Sequence, residues 1–387
     1  MQILMIVLNR VGKGSYWRAF FPSQVLASRG HNVTLMAMSP YSRLRGHERV
    51  ENGVRLIETP DLLWGSLRSG WDPWDTLWRM AWVRNRQFDI VHAVESRPIV
   101  LFPALLAQRQ GAKLVMDWAD LFGRGGSVEE RPNVLVRAIL RPIETYFENR
   151  FRLQADGTIA ISKFLYQRVL NLGVSPDRVL HLPNGADVEN IYPIPKDEAR
   201  RMLGWPRDIP VIGYIGAIFK RDADLMMRAF HLLREACPDA RLLLLGYFNL
   251  PTEKQFTDPN AILRTGTISR EEIRLYLAAC DVCWLPMCNS LANQAREPLK
   301  MKDYMCAGRP VIATNVGDAA ELVREGRFGL LATDSPQDVA DKTIRLLRDP
   351  ALCEIMGQNG RHLVESRYTW EHFTDRLEQF YSHILRE

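Results

Sequence analysis

Short, almost wholly apolar runs alternate with longer amphipathic stretches along this chain. In the first half, the runs that predict strands are ILMIVLN, NVTLMAM, VRLIETP, FDIVHAV, KLVMDWA and GTIAIS. Patterns typical of helices, such as YWRAFFPSQVLASRG, PIVLFPALLAQRQG and VLVRAILRPIETYFENRFRLQ, lie between several of them. Strands this uniformly apolar are buried on both faces, and alternating helices cover the two faces of a parallel sheet. The first half therefore predicts a doubly wound α/β domain.

The same alternation resumes after a polar, proline-bearing segment, NGADVENIYPIP. The strands predicted there are VIGYIGA, ARLLLLG, AILRTG, VCWLP, RPVIAT and GLLAT. A last helix is predicted for residues 369–385, with Thr369 as its N-cap. A chain of 387 residues exceeds what one hydrophobic core usually serves. We therefore expect a first domain at 1–187, a second at 188–368, and a C-terminal helix, 369–387, that packs back toward the first.

One segment of the second half is unusually dense in charge. NQAREPLKMKDYMCAG, at 293–308, lies between the predicted strands VCWLP and RPVIAT. In an open α/β sheet this position falls at the carboxyl ends of the strands, where ligands bind. Arg296, Lys300 and Lys302 near a helix start suit a phosphate, because they add to the positive end of the helix dipole. Asp303 can accept hydrogen bonds from sugar hydroxyls. The segment predicts capture of a sugar linked to phosphate.

Composition is that of an ordinary globular protein, with 47% apolar and 25% charged residues. No apolar run approaches the ~18 residues that span a bilayer, and MQILMIVLNR is interpreted as a first strand rather than a signal peptide.

The six cysteines lie in apolar surroundings of the second half, and Cys280-Asp-Val-Cys283 has no second CxxC or CxxH partner. We expect reduced core thiols in a cytoplasmic protein.

Positive charge is concentrated in the first half. Basic residues outnumber acidic ones within residues 1–190, whereas the two nearly balance in the remainder. This suits an anionic partner for the first half, either a phospholipid surface or a phosphorylated acceptor. Nucleic acid is not an expected partner, because the chain has no zinc finger, no RNP-type aromatic motif and no dense basic run.

A tryptophan- and arginine-rich segment, 64–86, lies within this basic half. Its members are Trp64, Trp71, Trp74, Trp78 and Trp82, with Arg68, Arg79, Arg84 and Arg86. The tryptophans from Trp71 to Trp82 have helical spacing. Two interpretations stay open: a buried helix face, or an interfacial helix that binds a membrane surface. In the second case the protein is peripheral on the inner face of the membrane, which suits a lipid-linked acceptor.

Several longer segments together match a known family. They are VGKGSYWRAF, LASRGHNVTLM, FDIVHA, DGTIAISKFLYQRVLNLGV, HLPNGADVENIYP, GYIGAIFKRDADLMMRAF, PLKMKDYMCAGRPVIATNVGDAAELV and TWEHFTDRLEQFY. Nearly end to end, the chain resembles the GT-B-fold glycosyltransferases of family 4, which are retaining, nucleotide-sugar-dependent enzymes. The resemblance implies two doubly wound Rossmann-like domains facing across a cleft. It also implies a UDP- or GDP-sugar donor, a hydroxyl acceptor such as a glycolipid or bacterial surface polysaccharide, and no metal or other cofactor.

The resemblance assigns roles to individual residues. The expected donor-binding residues are Gly12, Gly14, Arg221, Gly266, Thr267, Asn293, Arg296 and Asp303. The expected catalytic residues are Asp117, Asp120, Lys220 and Lys300. Glycines let backbone N–H groups approach a phosphate or sugar, and Lys or Arg neutralises a leaving diphosphate without a metal. The two aspartates lie at the end of a strand and would position the acceptor hydroxyl or support the donor sugar. His92, at another strand end, is more simply explained as structural.

One departure from the family concerns its paired acids. The family usually carries two glutamates separated by seven residues, whereas this chain has Ala295 at the first position and Asp303 at the second. Asp303 can still accept hydrogen bonds from two ribose hydroxyls. Asn293, or the displaced Glu297, could replace the first acidic contact with the donor sugar.

The expected reaction is sugar transfer with retention of the anomeric configuration. The family implies front-face attack, in which the leaving phosphate takes the acceptor proton. Asp222-Ala-Asp224 has the letters of a metal-binding DxD motif, but it enters a helix, and we interpret its aspartates as acids of a helix N-terminus. Paired carboxylates also suit a glycoside hydrolase, which would not need Lys220 and Lys300. Two alternatives stay open: a sugar-nucleotide epimerase on the same architecture, and a non-catalytic sugar-nucleotide-binding protein.

Overall fold

The computed structural model describes residues 1–62, 70–246, 248, 258 and 260–386. The chain divides into two compact units. Unit 1 consists of Met1–Asn184, Ala295–Glu297 and Trp370–Glu387, and unit 2 consists of Gly185–Gln294 and Pro298–Thr369. The division after Asn184 falls just before the boundary expected at residue 187. The charged segment of the second half contributes Ala295–Glu297 to unit 1, which the sequence did not indicate.

Unit 1 contains one eight-stranded sheet. Its strands are β1 (Gln2–Arg10), β2 (Asn32–Met38), β3 (His47–Glu51), β4 (Val54–Thr59), β5 (Ile90–Val94), β6 (Lys113–Trp118), β7 (Gly157–Ala160) and β8 (Val179–His181). Their order is β3-β4-β2-β1-β5-β6-β7-β8, and all neighbours are parallel except the antiparallel pair β3–β4. Sequence analysis predicted neither β3 nor β8: HERVE is polar and mostly exposed, and VLH has only 3 residues.

The helices of unit 1 cover this sheet. They are α1 (Tyr16–Ser28), α2 (Pro73–Val83), α3 (Pro98–Arg109), α4 (Val134–Arg150), α5 (Lys163–Asn171) and the last helix of the chain, α14 (Trp370–Arg386). Short 3-10 turns lie at Ser127–Glu130, Arg152–Gln154 and Pro176–Arg178. The helix α14 packs on α1, where Arg29 pairs with Asp375 and Glu378, and where Phe21 stacks on Trp370 with ring centroids 5.1 Å apart.

Unit 2 is a second doubly wound α/β layer structure. Its strands are β9 (Val211–Ile215), β10 (Arg241–Leu245), β11 (Ile262–Gly266), β12 (Val282–Leu285), β13 (Val311–Thr314) and β14 (Gly329–Ala332). Its helices are α6 (Lys196–Leu203), α7 (Lys220–Ala236), α8 (Arg270–Ala278), α9 (Leu291–Gln294), α10 (Leu299–Cys306), α11 (Gly317–Gly326), α12 (Pro336–Leu347) and α13 (Pro350–Arg367). The parallel strand order is β11-β10-β9-β12-β13-β14. Two parallel sheets flanked by helices confirm the predicted fold class.

The helix α2 holds most of the described part of the tryptophan-rich segment. Trp78 and Trp82 pack against the apolar core of unit 1. Arg79, expected to flank a membrane helix, is fully buried in an ion pair with Asp75 at 2.8 Å. Trp78, Trp82 and Arg79 therefore fit the interpretation as a buried face, whereas Trp74 is 41% exposed. Trp64 and Arg68 lie outside the described residues. None of the described helices is long and apolar enough to cross a membrane.

Candidate active site

Lys300 lies on α10, beside the carboxyl end of β9. Its Nζ donates hydrogen bonds to the Tyr214 hydroxyl (2.5 Å) and to the Ala217 carbonyl oxygen (2.8 Å). It also lies 4.0 Å from the centroid of the Tyr214 ring. The neighbouring Gly216 has a φ of 77°, which keeps the backbone turning away from the sheet at this point. The ammonium group is therefore fixed at a sheet edge of the kind where doubly wound folds bind ligands.

Lys220 and Arg221 begin α7, directly after the loop that holds Lys300. Both residues are exposed. The helix α7 has 17 residues, so its first turn presents backbone N–H groups and the positive end of the helix dipole. Lys220, Arg221 and the ammonium group of Lys300 thus lie at the β9–α7 connection.

Asn293 faces the interior of unit 2. Its Nδ2 donates to both carboxylate oxygens of Asp222 (2.9 and 3.2 Å) and to the Cys288 carbonyl oxygen (2.9 Å), and the residue is 1% exposed. Asp222 lies in the first turn of α7, as the sequence indicated, and it also accepts from the Cys288 N–H. In this structure Asn293 links the loop after β12 to the first turn of α7.

Asp303 is held by an arginine from the neighbouring helix. Arg270, the first residue of α8, donates to Asp303 Oδ1 at 3.2 Å and to Asp187 at 3.0 Å. Burial raises the pKa of Asp303 above its ordinary value, while the Arg270 charge opposes that shift. Gly266 ends β11 with a φ of 67°, and Thr267 is exposed just before α8. The loop expected at the nucleobase therefore leads into the helix that fixes the acid expected at the ribose.

The glycine loop after β1 has a conformation that favours glycine. Gly12 and Gly14 have φ values of 77° and 54°. Asn9 Oδ1 accepts hydrogen bonds from the backbone N–H and the hydroxyl of Ser15. A Cβ on Gly14 would lie only 2.8 Å from that oxygen. The Asn9 side chain therefore fixes this loop in a shape that only glycine fits well at position 14.

Replacing Gly14 with alanine should lower the free energy of unfolding by about 2–3 kcal/mol, since it adds a clash to an unfavourable φ. Gly30→Ala is the matched control: Gly30 has a φ of 87°, and a Cβ there meets nothing within 4 Å. It should cost only about 1 kcal/mol. Urea denaturation measures both. Equal losses would contradict the role of Asn9 in shaping this loop.

Asp117, predicted to be catalytic, is held in a buried ion pair at the end of β6. Arg18 donates to its two oxygens at 2.7 and 3.1 Å, and the acid is 0% exposed. His92 Nε2 lies 3.4 Å from it, and His92 Nδ1 lies 2.5 Å from the hydroxyl of Tyr381 on α14. Burial alone would raise the pKa of Asp117, but Arg18 and His92 bring it below its ordinary value. Asp117 is therefore anchored within unit 1 by Arg18.

The segment 295–297 is fastened to unit 1 by hydrogen bonds. The Asn184 N–H donates to Glu297 Oε2 (3.1 Å), and Asn184 Nδ2 donates to the Glu297 carbonyl oxygen (2.8 Å). The Ser162 hydroxyl donates to the Ala295 carbonyl oxygen at 2.8 Å. Ala295 is fully buried in an apolar cluster with Trp118, so a carboxylate at this position would lose its hydration. In this structure the Glu297 carboxylate accepts a hydrogen bond from the Asn184 backbone.

Asp120 keeps partial exposure in the loop after β6. Burial raises its pKa, and the charges of Arg296 and Arg97 oppose the shift. Arg296, expected to bind the donor, belongs to unit 1, where its charge acts on this acid. Arg296 therefore lies in the same unit as Asp120, the acid that we expected to act on the acceptor.

Sequence reasoning missed an acid directly after β5. Glu95 is 2% exposed with a φ of 81°, and its Oε2 has no hydrogen-bond partner among the described residues. Burial, followed by the charge of Asp120, raises its pKa well above the ordinary value. The buried guanidinium of Arg152 lies 4.1 Å from the Trp118 ring centroid, and burial lowers its pKa to about 10. Strain and unmet polar groups cluster at functional sites. The sequence signal that could have indicated Glu95 is DIVHAVES, in which polar residues follow a predicted strand.

Comparisons with known proteins agree with this architecture. A model described as Glycosyltransferase Family 4 matches residues 23–190, and one described as Glycosyl transferases group 1 matches residues 209–349. The GDP-mannose-dependent monoacylated alpha-(1-6)-phosphatidylinositol monomannoside mannosyltransferase of Corynebacterium glutamicum is 28% identical over 305 residues, which are 76% of each protein. The chain spans between 48% and 76% of the length of the first curated relatives that it matches.

Solved structures show the same fold. Sucrose-phosphate synthase from Thermosynechococcus elongatus superimposes with a TM-score of 0.76 at 19% identity, over 98% of both chains. Anabaena HepE in complex with UDP-glucose gives a TM-score of 0.70 at 17% identity, over 99% of both chains. Together with the two family models, these matches identify the chain as a member of the family 4 glycosyltransferases, with the GT-B fold.

Proposed function

We propose that this chain transfers a sugar from a nucleoside diphosphate sugar to a hydroxyl group of an acceptor, with retention at the anomeric carbon. The observation that carries the proposal is Lys300, whose ammonium group is fixed at the β9–α7 connection. A departing diphosphate gains negative charge, and fixed cations at that point lower the barrier. We assign Lys220, Arg221 and Lys300 to the diphosphate, and we propose no metal because these side chains supply the positive charge.

Unit 2 is the proposed site of the nucleoside. Asp303, with Arg270 on one carboxylate oxygen, would accept hydrogen bonds from the ribose hydroxyls. The backbone at Gly266 and Thr267 would contact the base. Two relatives support the donor class: the Anabaena structure contains UDP-glucose, and the Corynebacterium protein is named as GDP-mannose-dependent. We therefore propose a UDP- or GDP-sugar.

Unit 1 is the proposed site of the acceptor, with Asp120 as the acid that faces its hydroxyl group. In the proposed step the bond from the anomeric carbon to the diphosphate oxygen breaks. The acceptor oxygen bonds to that carbon on the same face, and the acceptor proton passes to the departing phosphate. A lipid-linked or surface-polysaccharide acceptor is supported by the excess of basic residues in the first half and by the phosphatidylinositol glycan in the relative's name.

Nucleotide binding tests the donor proposal directly. We expect either UDP or GDP to raise the thermal midpoint of unfolding. A ligand that binds only the folded state stabilises it by about 2.7 kcal/mol at 100 times its Kd. ADP should leave the midpoint unchanged, because the proposed donor is a UDP- or GDP-sugar. The rise should disappear in Lys300→Ala. If none of the three nucleotides shifts the midpoint, the proposed donor site is wrong.

Product analysis separates transfer from the two alternatives. A transferase forms a glycosylated acceptor and releases the nucleoside diphosphate. An epimeric nucleotide sugar formed without any acceptor would indicate an epimerase. Donor binding without turnover across a panel of acceptors would indicate a non-catalytic binding protein.

A further inference from the structure

Glu95 has a backbone conformation and a surrounding that acidic residues ordinarily avoid. It lies directly after β5, and its φ of 81° falls in the left-handed region that favours glycine. Its backbone N–H donates to the Asp117 carbonyl oxygen at 2.9 Å, which fixes it at the carboxyl ends of the paired strands β5 and β6. Its Oε2 is buried and has no hydrogen-bond partner among the described residues. A carboxylate placed in this way is costly, so the packing of the core does not explain Glu95.

The charged groups that face Glu95 are mostly negative. Asp120, in the loop after β6, has the strongest effect, and Asp117 on β6 and Glu148 on α4 add to it. The cation that opposes them is Arg152, in one of the 3-10 turns. Burial and neighbouring negative charges both disfavour the ionised form of an acid. Glu95 therefore lies where a neutral carboxyl group is favoured.

The cations of this region do not bond to Glu95. Arg18 donates to both oxygens of Asp117, and Arg97 pairs with an acid of α4 at 2.9 Å. Arg152 is 0% exposed, and none of its three side-chain nitrogens has a hydrogen-bond partner among the described residues. Glu95 therefore lacks the direct, charge-assisted hydrogen bonds that stabilise a buried carboxylate.

We propose that Glu95 and Asp120 form an acid pair on the acceptor side of unit 1, in which Glu95 keeps its proton and Asp120 carries the charge. Glu95 is then a positioning residue that acts through Asp120. Its neutral form leaves Asp120 as the one charged acid of the pair, which accepts a hydrogen bond from the acceptor hydroxyl. Ionisation of Glu95 would add an unpaired charge, and repulsion would draw the Asp120 carboxylate away from the acceptor. This role rests on the proposed assignment of Asp120 to the acceptor.

Thermal unfolding without substrates tests the proton on Glu95. An acid that is neutral in the folded protein and ionised in the unfolded chain contributes stability at low pH that is lost as the pH rises. Glu95→Gln removes the ionisable group from both states. We therefore expect its thermal midpoint to lie within about 2 °C of the wild-type value near about pH 5, and at least about 4 °C above it near about pH 8.

Asp75→Asn is the matched control for this measurement. Asp75 is also a buried acid of unit 1, 0% exposed and with an unpartnered Oδ2, but its Oδ1 pairs with Arg79 at 2.8 Å. Its replacement leaves the buried guanidinium of Arg79 without that charge, so the thermal midpoint near about pH 8 should fall. An unchanged or lowered midpoint of Glu95→Gln near about pH 8 would mean that Glu95 ionises in the folded protein, which overturns the proposal.

The pH dependence of sugar transfer tests the action of Glu95 through Asp120. With the donor and acceptor found by product analysis, we expect the wild-type kcat/KM to fall at least about fivefold between about pH 7.5 and about pH 9.5, as Glu95 loses its proton. Glu95→Gln should keep kcat/KM within about threefold of the wild-type value near about pH 7. It should lose the alkaline fall, because an amide has no such proton to release.

The control variant also serves in the kinetic test. Asp75→Asn should retain the alkaline fall of the wild type. An alkaline fall that persists in Glu95→Gln would show that Glu95 does not act on Asp120, and would overturn the pair. If the wild type transfers sugar to no acceptor, the proposed function fails, while the thermal midpoints of Glu95→Gln still decide whether Glu95 holds a proton.

Discussion

Lys300→Ala should lower kcat by about 10²–10³-fold, because it removes a preorganised cation from the point where the leaving diphosphate gains charge. The wild-type ammonium is already oriented by the Tyr214 hydroxyl and the Ala217 carbonyl oxygen, so little reorganisation is needed during the reaction. Steady-state kinetics with the donor identified by thermal shift measures the effect. Calorimetric titration of the nucleoside diphosphate should show weaker binding in the same variant.

A lysine on the same helix provides the control for Lys300. Lys302 is 1% exposed and lies 4.4 Å from the Tyr368 ring centroid. Lys302→Ala should lower the thermal midpoint and leave kcat within about threefold, because its charge is used for packing. Tyr214→Phe should have an intermediate effect on kcat, since the Ala217 carbonyl oxygen still holds the ammonium. An equal loss of kcat in the Lys300 and Lys302 variants would show that only helix integrity matters.

The fold, and the position of Lys220 and Lys300 at one sheet edge, could be predicted because their signals are local. Near-continuous apolar runs such as ILMIVLN and VIGYIGA mark buried parallel strands. Lys220 and Lys300 follow or flank such runs, and the structure places both near the carboxyl end of β9. The edge strand β3 was missed because its side chains are polar and exposed, so it lacks the apolar signal of a buried strand.

The side-chain partners in the candidate site could not be predicted, because they depend on contacts between residues that are distant in sequence. Nothing local to Asp117, at the end of β6, indicates that Arg18 of α1 pairs with it. Nothing local to Asn293 indicates that its amide turns toward Asp222. The orientation of α4 could not be predicted either. Its sequence has the pattern of an amphipathic helix, and only the hydrogen bonds from the Phe122 and Gly123 N–H groups to Glu148 show which side of the helix faces the protein.

The second large effect is expected on stability, from Arg18→Met. Arg18 is 4% exposed and also donates to the Leu182 carbonyl oxygen (2.8 Å) and to Asn184 Oδ1 (3.1 Å). Its loss leaves Asp117 as an uncompensated buried charge, which should cost about 3–5 kcal/mol of unfolding free energy at neutral pH. Urea denaturation measures it. The double variant Arg18→Met/Asp117→Leu should recover much of the loss, because it removes the stranded charge.

The dependence on pH distinguishes this ion pair from ordinary packing. In the wild type the pKa of Asp117 is lowered, so its contribution to stability is present at neutral pH and is lost as the pH falls through the folded-state pKa. In Arg18→Met the buried acid has lost that partner and binds a proton more readily, so the deficit should be smaller near about pH 5 than near about pH 7.5. Arg29→Met, directly after the same helix, removes surface ion pairs with Asp375 and Glu378 and should cost at most about 1 kcal/mol. A deficit for Arg18→Met that is independent of pH and no larger than that of Arg29→Met would mean that the Arg18–Asp117 pair does not anchor unit 1.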